Sequence, residues 1–287
     1  MVQYPPLYMR GTLFVVATPI GNLEDITVRA LRVLREVAVI AAEDTRRTAQ
    51  LLARHGIATP TTSLHEHNEG AKSASLIARL ERGDHVALVS DAGTPAVSDP
   101  GERLIRMAID AGIRVEPIPG PSAVLAALTA SGLPSASFTF LGFPPTKAKD
   151  RKLWFERLRA VGGTVVFFEA PHRIAETLRE LQQIAGNCRL AVGRELTKAH
   201  EEFLRGSASD VARQLQDARG ELTVVVEIGE MPETEPPQQT DLAREFGEMT
   251  VIPGITKRKA VALLARRHGL AANSVYEALE AAKKSSK

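Results

Sequence analysis

A single cysteine, Cys188, leaves the 287-residue chain unable to form an intrachain disulfide or a thiolate-built metal centre. That usage suits a reducing compartment and points to the cytoplasm. No apolar run approaches the roughly 20 residues that a membrane-spanning helix needs. The opening stretch MVQYPPLYMRGTLFVVATP has one Arg, an apolar patch cut by Pro19 and no small-residue cleavage site, so neither a secretory signal nor a membrane partner is expected. Phosphate loops are missing too. No GxGxxG follows the first apolar run, and no GxxxxGK followed by Ser or Thr occurs anywhere, which disfavours a dinucleotide or nucleoside-triphosphate site.

What is present is an ordinary globular composition, 44% hydrophobic and 24% charged, in a length that holds two domains and a small third. The net charge of +2 hides an asymmetry. From Glu227 to Glu248 seven acids face one Arg, a local −6, whereas from Lys257 to Lys287 eight Lys and Arg face two Glu, a local +6. A basic end on a near-neutral body points to a polyanionic partner.

Apolar runs at 12–17, 37–42, 85–90, 113–118 and 137–141 read as strands, separated by helical periodicity at 26–35, 45–54, 71–82, 100–111 and 121–131. Such alternation predicts an α/β fold with a mainly parallel sheet covered on both faces. The second half repeats the theme: helix 147–160, strand 164–169, helix 172–185, strands 188–193 and 201–205, helix 208–217, strand 222–228. Two α/β domains, 10–141 and 142–231, follow, hinged at Gly142-Phe143-Pro144-Pro145. An acidic, Pro-rich linker is expected at 232–240. A small all-helical domain at 241–287 would carry Asp241, Thr256 and Asn273 as caps and expose Lys257, Arg258, Lys259, Arg266 and Arg267, in the manner of a helix-turn-helix.

The most informative stretch is 88–101, LVSDAGTPAVSDPG. An apolar strand stops at Ser90-Asp91-Ala92-Gly93-Thr94-Pro95, and Ser98-Asp99-Pro100-Gly101 then opens a helix. Ligands of open α/β sheets bind at the carboxyl ends of the strands. Further turns fall where strands end, at 17–23, 43–46, 117–123, 169–173 and 195–198. One such turn means little, because any sharp turn uses Gly and Pro. Several on one sheet edge predict a ligand cleft. Their prolines offer no N–H groups to an anion, so a ligand without phosphates fits better.

The ordered motifs ATPIGNLEDIT, AAEDTR, LVSDAGTPAVSDPG, PIPGPSA, FFEAPHRI, GRELTKAHEE and GELTVVVE, spanning about Gly11 to Ile228, resemble the tetrapyrrole-methylase superfamily of S-adenosylmethionine-dependent enzymes. Ser90-Asp91-Ala92-Gly93 departs from the superfamily's usual Gly-Asp-Pro turn and is similar to its ribosomal branch. The resemblance implies two α/β domains with the donor, S-adenosyl-L-methionine, in a cleft between them, and a homodimer. It implies 2′-O-methylation of the ribose of a cytidine in the decoding region of small-subunit (16S) rRNA, as free RNA or in the 30S subunit. The donor site it implies comprises Pro19, Asp91, Ala92, Gly93, Pro95, Val97, Ser122, Ala123, Phe168, Glu169, Leu196, Thr197, Glu221 and Leu222. Two rival readings stand beside it. One is a methylase of a tetrapyrrole or protein side chain using the same donor site, and the other a non-catalytic RNA-binding assembly module.

Methylating a ribose hydroxyl needs a base, or a cation that makes the hydroxyl a better acid. Lys198, Glu169 and Asp44 are the catalytic candidates, with His172 and Glu202 behind them. Each has a structural reading as well: Asp44 as a helix N-cap, Glu169 as a buried acid partnered by Arg173, Lys198 as a surface lysine. Arg46 and Arg47 read as phosphate contacts or as solvated helix residues. His65 and His67 look metal-like, but nothing completes a ligand set, so no metal is expected and His67 is assigned to RNA contact. Trp154 and Phe155 fall in an amphipathic helix and read as core.

Overall fold

The computed structural model describes residues 10–65, 67–215, 219–229, 239–250, 256–268 and 272–285. They fall into two compact units, divided between Gly229 and Glu230.

The first sheet of the larger unit contains β1 (Thr12–Val16), β2 (Val39–Ala42), β3 (Thr61–Ser63), β4 (Val86–Val89) and β5 (Arg114–Ile118). Its order is β3-β2-β4-β1-β5, and every pairing is parallel. VIAA of β2 and VALV of β4 are buried at every residue, the continuous apolar signature of strands covered on both faces. Pro117 is tolerated because β5 is an edge strand. Helices α1 (Val28–Glu36) and α2 (Thr45–Arg54) cover one face through Val33, Leu34, Leu51 and Leu52. Helices α3 (Glu69–Glu81) and α4 (Glu102–Asp110) cover the other through Leu76, Leu80, Leu104 and Ala108.

From β1 the chain winds outward through β2 to β3, then returns to β4 and crosses to β5. Neighbours β1 and β4 therefore send their connections in opposite directions. That is the switch point at which open α/β sheets form their binding crevice. Just beyond it Thr18 and Gly93 exchange two backbone hydrogen bonds, at 2.9 and 3.0 Å. Strand β3 escapes the sequence reading because Thr-Thr-Ser carries no apolar alternation.

The second sheet contains β6 (Phe138–Phe140), β7 (Gly163–Glu169), β8 (Arg189–Arg194), β9 (Glu202–Ser207) and β10 (Leu222–Ile228), in the order β6-β7-β10-β8-β9. Two expectations are corrected here. The run at 137–141 does not close the first sheet; as β6 it pairs with β7, Phe138 opposite Thr164, so a division at 141/142 leaves one strand of the second sheet on the wrong side. The second sheet is also mixed, with only the β6–β7 pair parallel. Periodicity marks a strand but not its partner or its direction.

Strand alternation divides β7 and β10 between two cores. Val165, Phe167, Val224 and Val226 face α6 (Ala148–Val161), α7 (Ile174–Ala185) and α8 (Ala208–Gln214), where Trp154 and Phe155 are core residues as expected. Val166 and Val225 face α5 (Ala123–Ser131), together with Ile20 from the turn after β1. Helix α5 thus leaves the first sheet at its amino end and covers the second. Its start is fixed by Ser122, whose hydroxyl accepts the Leu125 N–H.

The smaller unit packs α9 (Gln239–Thr250), α10 (Lys257–His268) and α11 (Ala272–Ser285) around Leu242, Val261, Leu264, Val275 and Leu279. Thr256 caps α10, accepting the Lys259 N–H at 3.3 Å. Asp241 and Asn273 lie inside their helices rather than ahead of them. Residues 232–238 of the expected linker lie outside the described residues, and Gln239 and Thr240 already belong to α9. Among the described residues no helix is long and apolar enough to cross a membrane.

Candidate active site

Register assembles one end of the second sheet. Leu222 stands opposite both Glu169 and Arg194, so the segments 168–171, 195–198 and 220–223 lie side by side. They meet the turns after β1 and β4. Gly21 marks the closest approach: a Cβ there would lie 2.5 Å from Lys198 Cγ, 2.7 Å from Thr197 Oγ1 and 2.8 Å from the Leu196 carbonyl oxygen. Asn22 N–H donates to Thr197 Oγ1 at 3.0 Å. The facing turn holds Glu195 and Thr197 at φ of 51° and 66°, left-handed values that non-glycine residues adopt at a cost.

Two cavities open at this junction. The first, about 370 Å³, is lined by Ala92, Gly93, Val97, Ser122, Ala123, Phe168, Glu169, Glu221 and Leu222 of the expected donor set, joined by Thr94, Asp99, Phe143 and Gly220. The second, about 290 Å³, is lined by Pro19, Arg47, Gln50, Asp91 and Lys198 among others. Ile20, Ala92 and Glu221 line both, so the chambers share a wall. Pro19 and Asp91 therefore stand in the second chamber rather than with the donor set. Pro95, Leu196 and Thr197 line neither. Pro95 is buried, Leu196 turns into the cluster beneath α5, and Thr197 spends its hydroxyl on Asn22.

Asp91 is a latch between turns: its carboxylate accepts the Asp44 N–H at 2.9 Å and lies 3.6 Å from Arg47, while its own N–H donates to Glu43 at 3.2 Å. Burial pushes Glu43 up from the ordinary carboxylate value. Asp99 is pushed up to about 6, chiefly by burial, with a Ser90 hydrogen bond opposing the rise and repulsion from Glu43 and Asp91 adding to it. The folded protein holds the Asp99 proton more tightly than the unfolded chain does, so its stability falls as pH rises from about 4 to about 6 and levels off above that. Asp99→Asn should therefore melt higher than the wild type at neutral pH, with the difference vanishing in melts run near the unfolded value, about pH 4. A constant difference across that range would remove Asp99 as the titrating group.

The catalytic candidates separate. Asp44 is not in either wall; it caps α2 through the Arg46 N–H at 2.8 Å, and Arg46 holds its carboxyl down to about 2. That makes it a poor proton acceptor. The Glu169 side chain is fully buried, so only its main chain can contribute to the cavity wall. Its oxygens accept from Ala170 N–H at 2.8 Å and from Thr177 Oγ1, and Arg173 lies 3.5 Å away, the partner expected from sequence. His172 is exposed, and Glu202 pairs with Arg194 at 2.7 Å. Lys198 remains. Burial alone would lower it, but Glu195 at 2.8 Å and Glu221 at 3.2 Å more than offset that and hold it above the ordinary lysine value.

Among the expected RNA contacts, Arg47 reaches the second chamber, whereas Arg46 and His67 line neither cavity. Lys257, Arg258 and Lys259 are exposed on the first turn of α10. The side chains of Arg266 and Arg267 lie outside the described residues. Among the described residues no group of three or more His, Cys, Asp or Glu could hold a metal ion. Asp99 and Phe143 line the first chamber although their sequence context marks only a helix-opening turn and a hinge.

The profile of the family described as Tetrapyrrole (Corrin/Porphyrin) Methylases matches residues 12–212, most of both sheets. The chain belongs to the tetrapyrrole methylases. Within that family it is similar to the protein named "Ribosomal RNA small subunit methyltransferase I" of Mesorhizobium japonicum, 50% identical over 238 residues, 82% of this chain and 81% of that one. It is 45% identical over 272 residues to the protein of the same name from Pseudomonas aeruginosa, covering 93% and 96% of the two chains. A solved uroporphyrin-III C-methyltransferase of Thermus thermophilus, complexed with S-adenosylhomocysteine, shares the methylase fold at a TM-score of 0.54 and 19% identity, over 77% of this chain and 98% of that one. The donor of the methylase family is S-adenosylmethionine. The first cavity fits such a group: its volume suits a small ligand, the Phe143 and Phe168 rings line it at a centroid distance of 5.3 Å, and Asp99 and Glu221 supply acids for a cation.

Proposed function

We propose that this chain transfers the methyl group of S-adenosylmethionine to the ribose 2′-oxygen of a cytidine in the decoding region of small-subunit (16S) rRNA. The shared wall carries the reading. A mostly apolar chamber edged by two acids suits a small cationic donor, and it abuts a chamber bearing Arg47 and Lys198, which suits an anionic strand. In-line transfer requires donor and acceptor on opposite sides of the moving carbon, and two chambers meeting at Ile20, Ala92 and Glu221 offer that arrangement. When bound, the donor supplies an electrophilic methyl group on a sulfonium.

The chain's own residues do the rest. Phe143, Phe168 and Leu222 exclude water from the donor chamber. Arg47 and Lys198 hold the phosphates beside the ribose, and the Lys198 charge makes the 2′-hydroxyl a stronger acid. Glu221, 3.2 Å from Lys198 Nζ and in the wall of both chambers, takes the proton. Lys257, Arg258 and Lys259 of α10, with Arg266 and Arg267 on the same helix, bind the RNA backbone. The enzyme works in the cytoplasm, where its ribosomal substrate is, and as a homodimer, which sedimentation velocity would read directly.

Mapping ribose methylation on small-subunit rRNA with and without the gene tests the reading. One decoding-region cytidine should lose its 2′-O-methyl group; an unchanged map would overturn it. Purified 30S subunits and free rRNA, offered side by side with labelled donor, distinguish the two forms of substrate. Deleting residues 233–287 removes a unit with its own apolar core, so donor affinity should stay within about twofold while transfer to rRNA at physiological salt falls about tenfold or more. Full-rate transfer by the truncated chain would show that the basic helices are no substrate arm.

A further inference from the structure

Arg173 ties two parts of the donor chamber together. Its Nη2 donates to the carbonyl oxygens of Pro144 and Pro145 at 2.6 and 3.2 Å, while its Nε lies 3.5 Å from Glu169 Oε1. Glu169 is held from behind by Thr177, and Arg151 anchors that side, bonding Thr177 Oγ1 and Glu180 at 2.7 Å each. The clamp thus stands on α6, α7 and β7, the rigid part of the second sheet's core. The segment it grips is not rigid by itself. The Gly142 carbonyl still accepts the Phe168 N–H at 2.9 Å, but Pro144 and Pro145 have no N–H with which to continue the ladder. Between those points Phe143 is 52% exposed and leans on Phe168 in the cavity wall.

We propose that Arg173 is a positioning residue for the methyl donor: it clamps the 142–145 rim so that Phe143 stays over the donor chamber, and the Glu169 carboxylate serves to hold Arg173 rather than to take a proton. This rests on the donor reading of the first cavity given above. A guanidinium is suited to the task because one planar fork reaches two carbonyl oxygens and a carboxylate at once, which a lysine ammonium cannot do with the same geometry. Without the clamp, donor binding must first order the rim, and affinity falls by the fraction of time the rim is in place. Chemistry on bound donor is left alone, so the loss appears in the donor KM and not in kcat.

A double-mutant cycle read by calorimetry with S-adenosylmethionine and S-adenosylhomocysteine, and by initial rates, tests this. Arg173→Ala and Phe143→Ala should each raise the Kd of both ligands about tenfold, and the double variant about tenfold rather than a hundredfold, because both act through the same rim. Saturating donor should restore kcat to within about twofold of wild type in each. Multiplicative losses, or a fall in kcat with donor KM unchanged, would overturn the clamp. Glu169→Gln, which keeps the shape of the side chain, guards against misfolding of the Arg173 variant. It should raise donor KM and leave the pH–rate profile unchanged, whereas loss of a pH limb with a large fall in kcat would make Glu169 the proton acceptor and sink the proposal. If the wild-type protein binds neither ligand, it is the donor reading of the cavity that fails.

Discussion

Gly21→Ala should cost most of the methyl transfer through one added carbon. At this glycine the demand is for room alone, since its Cβ would sit 2.8 Å from a backbone oxygen as well as 2.5 Å from a lysine methylene. The methylene could swing aside. The Leu196 carbonyl cannot, because the turn that carries it is already held in left-handed conformations at Glu195 and Thr197 and pinned by Glu195 N–H to the Glu221 carbonyl at 3.0 Å. Overpacking of this kind costs about 1–3 kcal/mol, or several degrees in the melting temperature of a unit this size. The effect on rate should be larger. The shift would pull Lys198 and Glu221 out of the wall of the second chamber, and misplacement by about 1 Å can cost about a hundredfold. Gly247→Ala, in α9 with nothing near its would-be Cβ, should instead stabilise slightly. Melting curves and labelled transfer to rRNA check both. A Gly21→Ala enzyme at wild-type rate would mean that the two turns do not bear on each other in solution.

Much of this architecture was legible because it is written in short-range patterns. The buried strands VIAA and VALV announce themselves by uninterrupted apolar character, and the turns at 90–95 and 169–173 stand out because strand periodicity stops there. What periodicity cannot carry is partnership. Phe138–Phe140 is as apolar as a first-sheet strand would be, and only its pairing with Thr164–Val166 assigns it to the second sheet. The same limit explains the site. Ala92, Gly93, Ser122, Phe168, Glu221 and Leu222 line one cavity, whereas Pro19 and Asp91 fall across the wall, a distinction that depends on how Gly21 docks against 196–198. Asp44 and Glu169 show the other limit. An acid at a strand end is a candidate base in sequence, but Asp44 is consumed by a helix cap and Arg46, and Glu169 by Arg173 and Thr177, partners whose reach only side-chain geometry reveals.

Lys198→Met should lower kcat about a hundredfold, the scale on which removing one preorganised donor acts at a developing oxyanion, and leave the Kd for S-adenosylmethionine close to wild type. The asymmetry follows from position: Lys198 lines the second chamber and not the first. Methionine keeps the length and the packing of the methylenes, so the loss reports the charge. That charge is persistent. Burial works against it, but two carboxylates within 3.2 Å hold the ammonium above the ordinary lysine value, so a neutral amine is scarce at any working pH. Lys198 therefore acts as a fixed cation, and a unit charge about 4 Å from a developing alkoxide is worth at most a few kcal/mol at the effective dielectric of a protein surface. Lys198→Arg should recover part of the rate, because it restores the charge with altered reach. The pH profile separates this role from its rival. If Lys198 were the base, the wild type would show an ascending limb that vanishes in the methionine variant. With Lys198 as the cation the methionine variant keeps the ascending limb at a lower rate, and the proton goes to Glu221, so Glu221→Gln should also be slow with Lys198 in place.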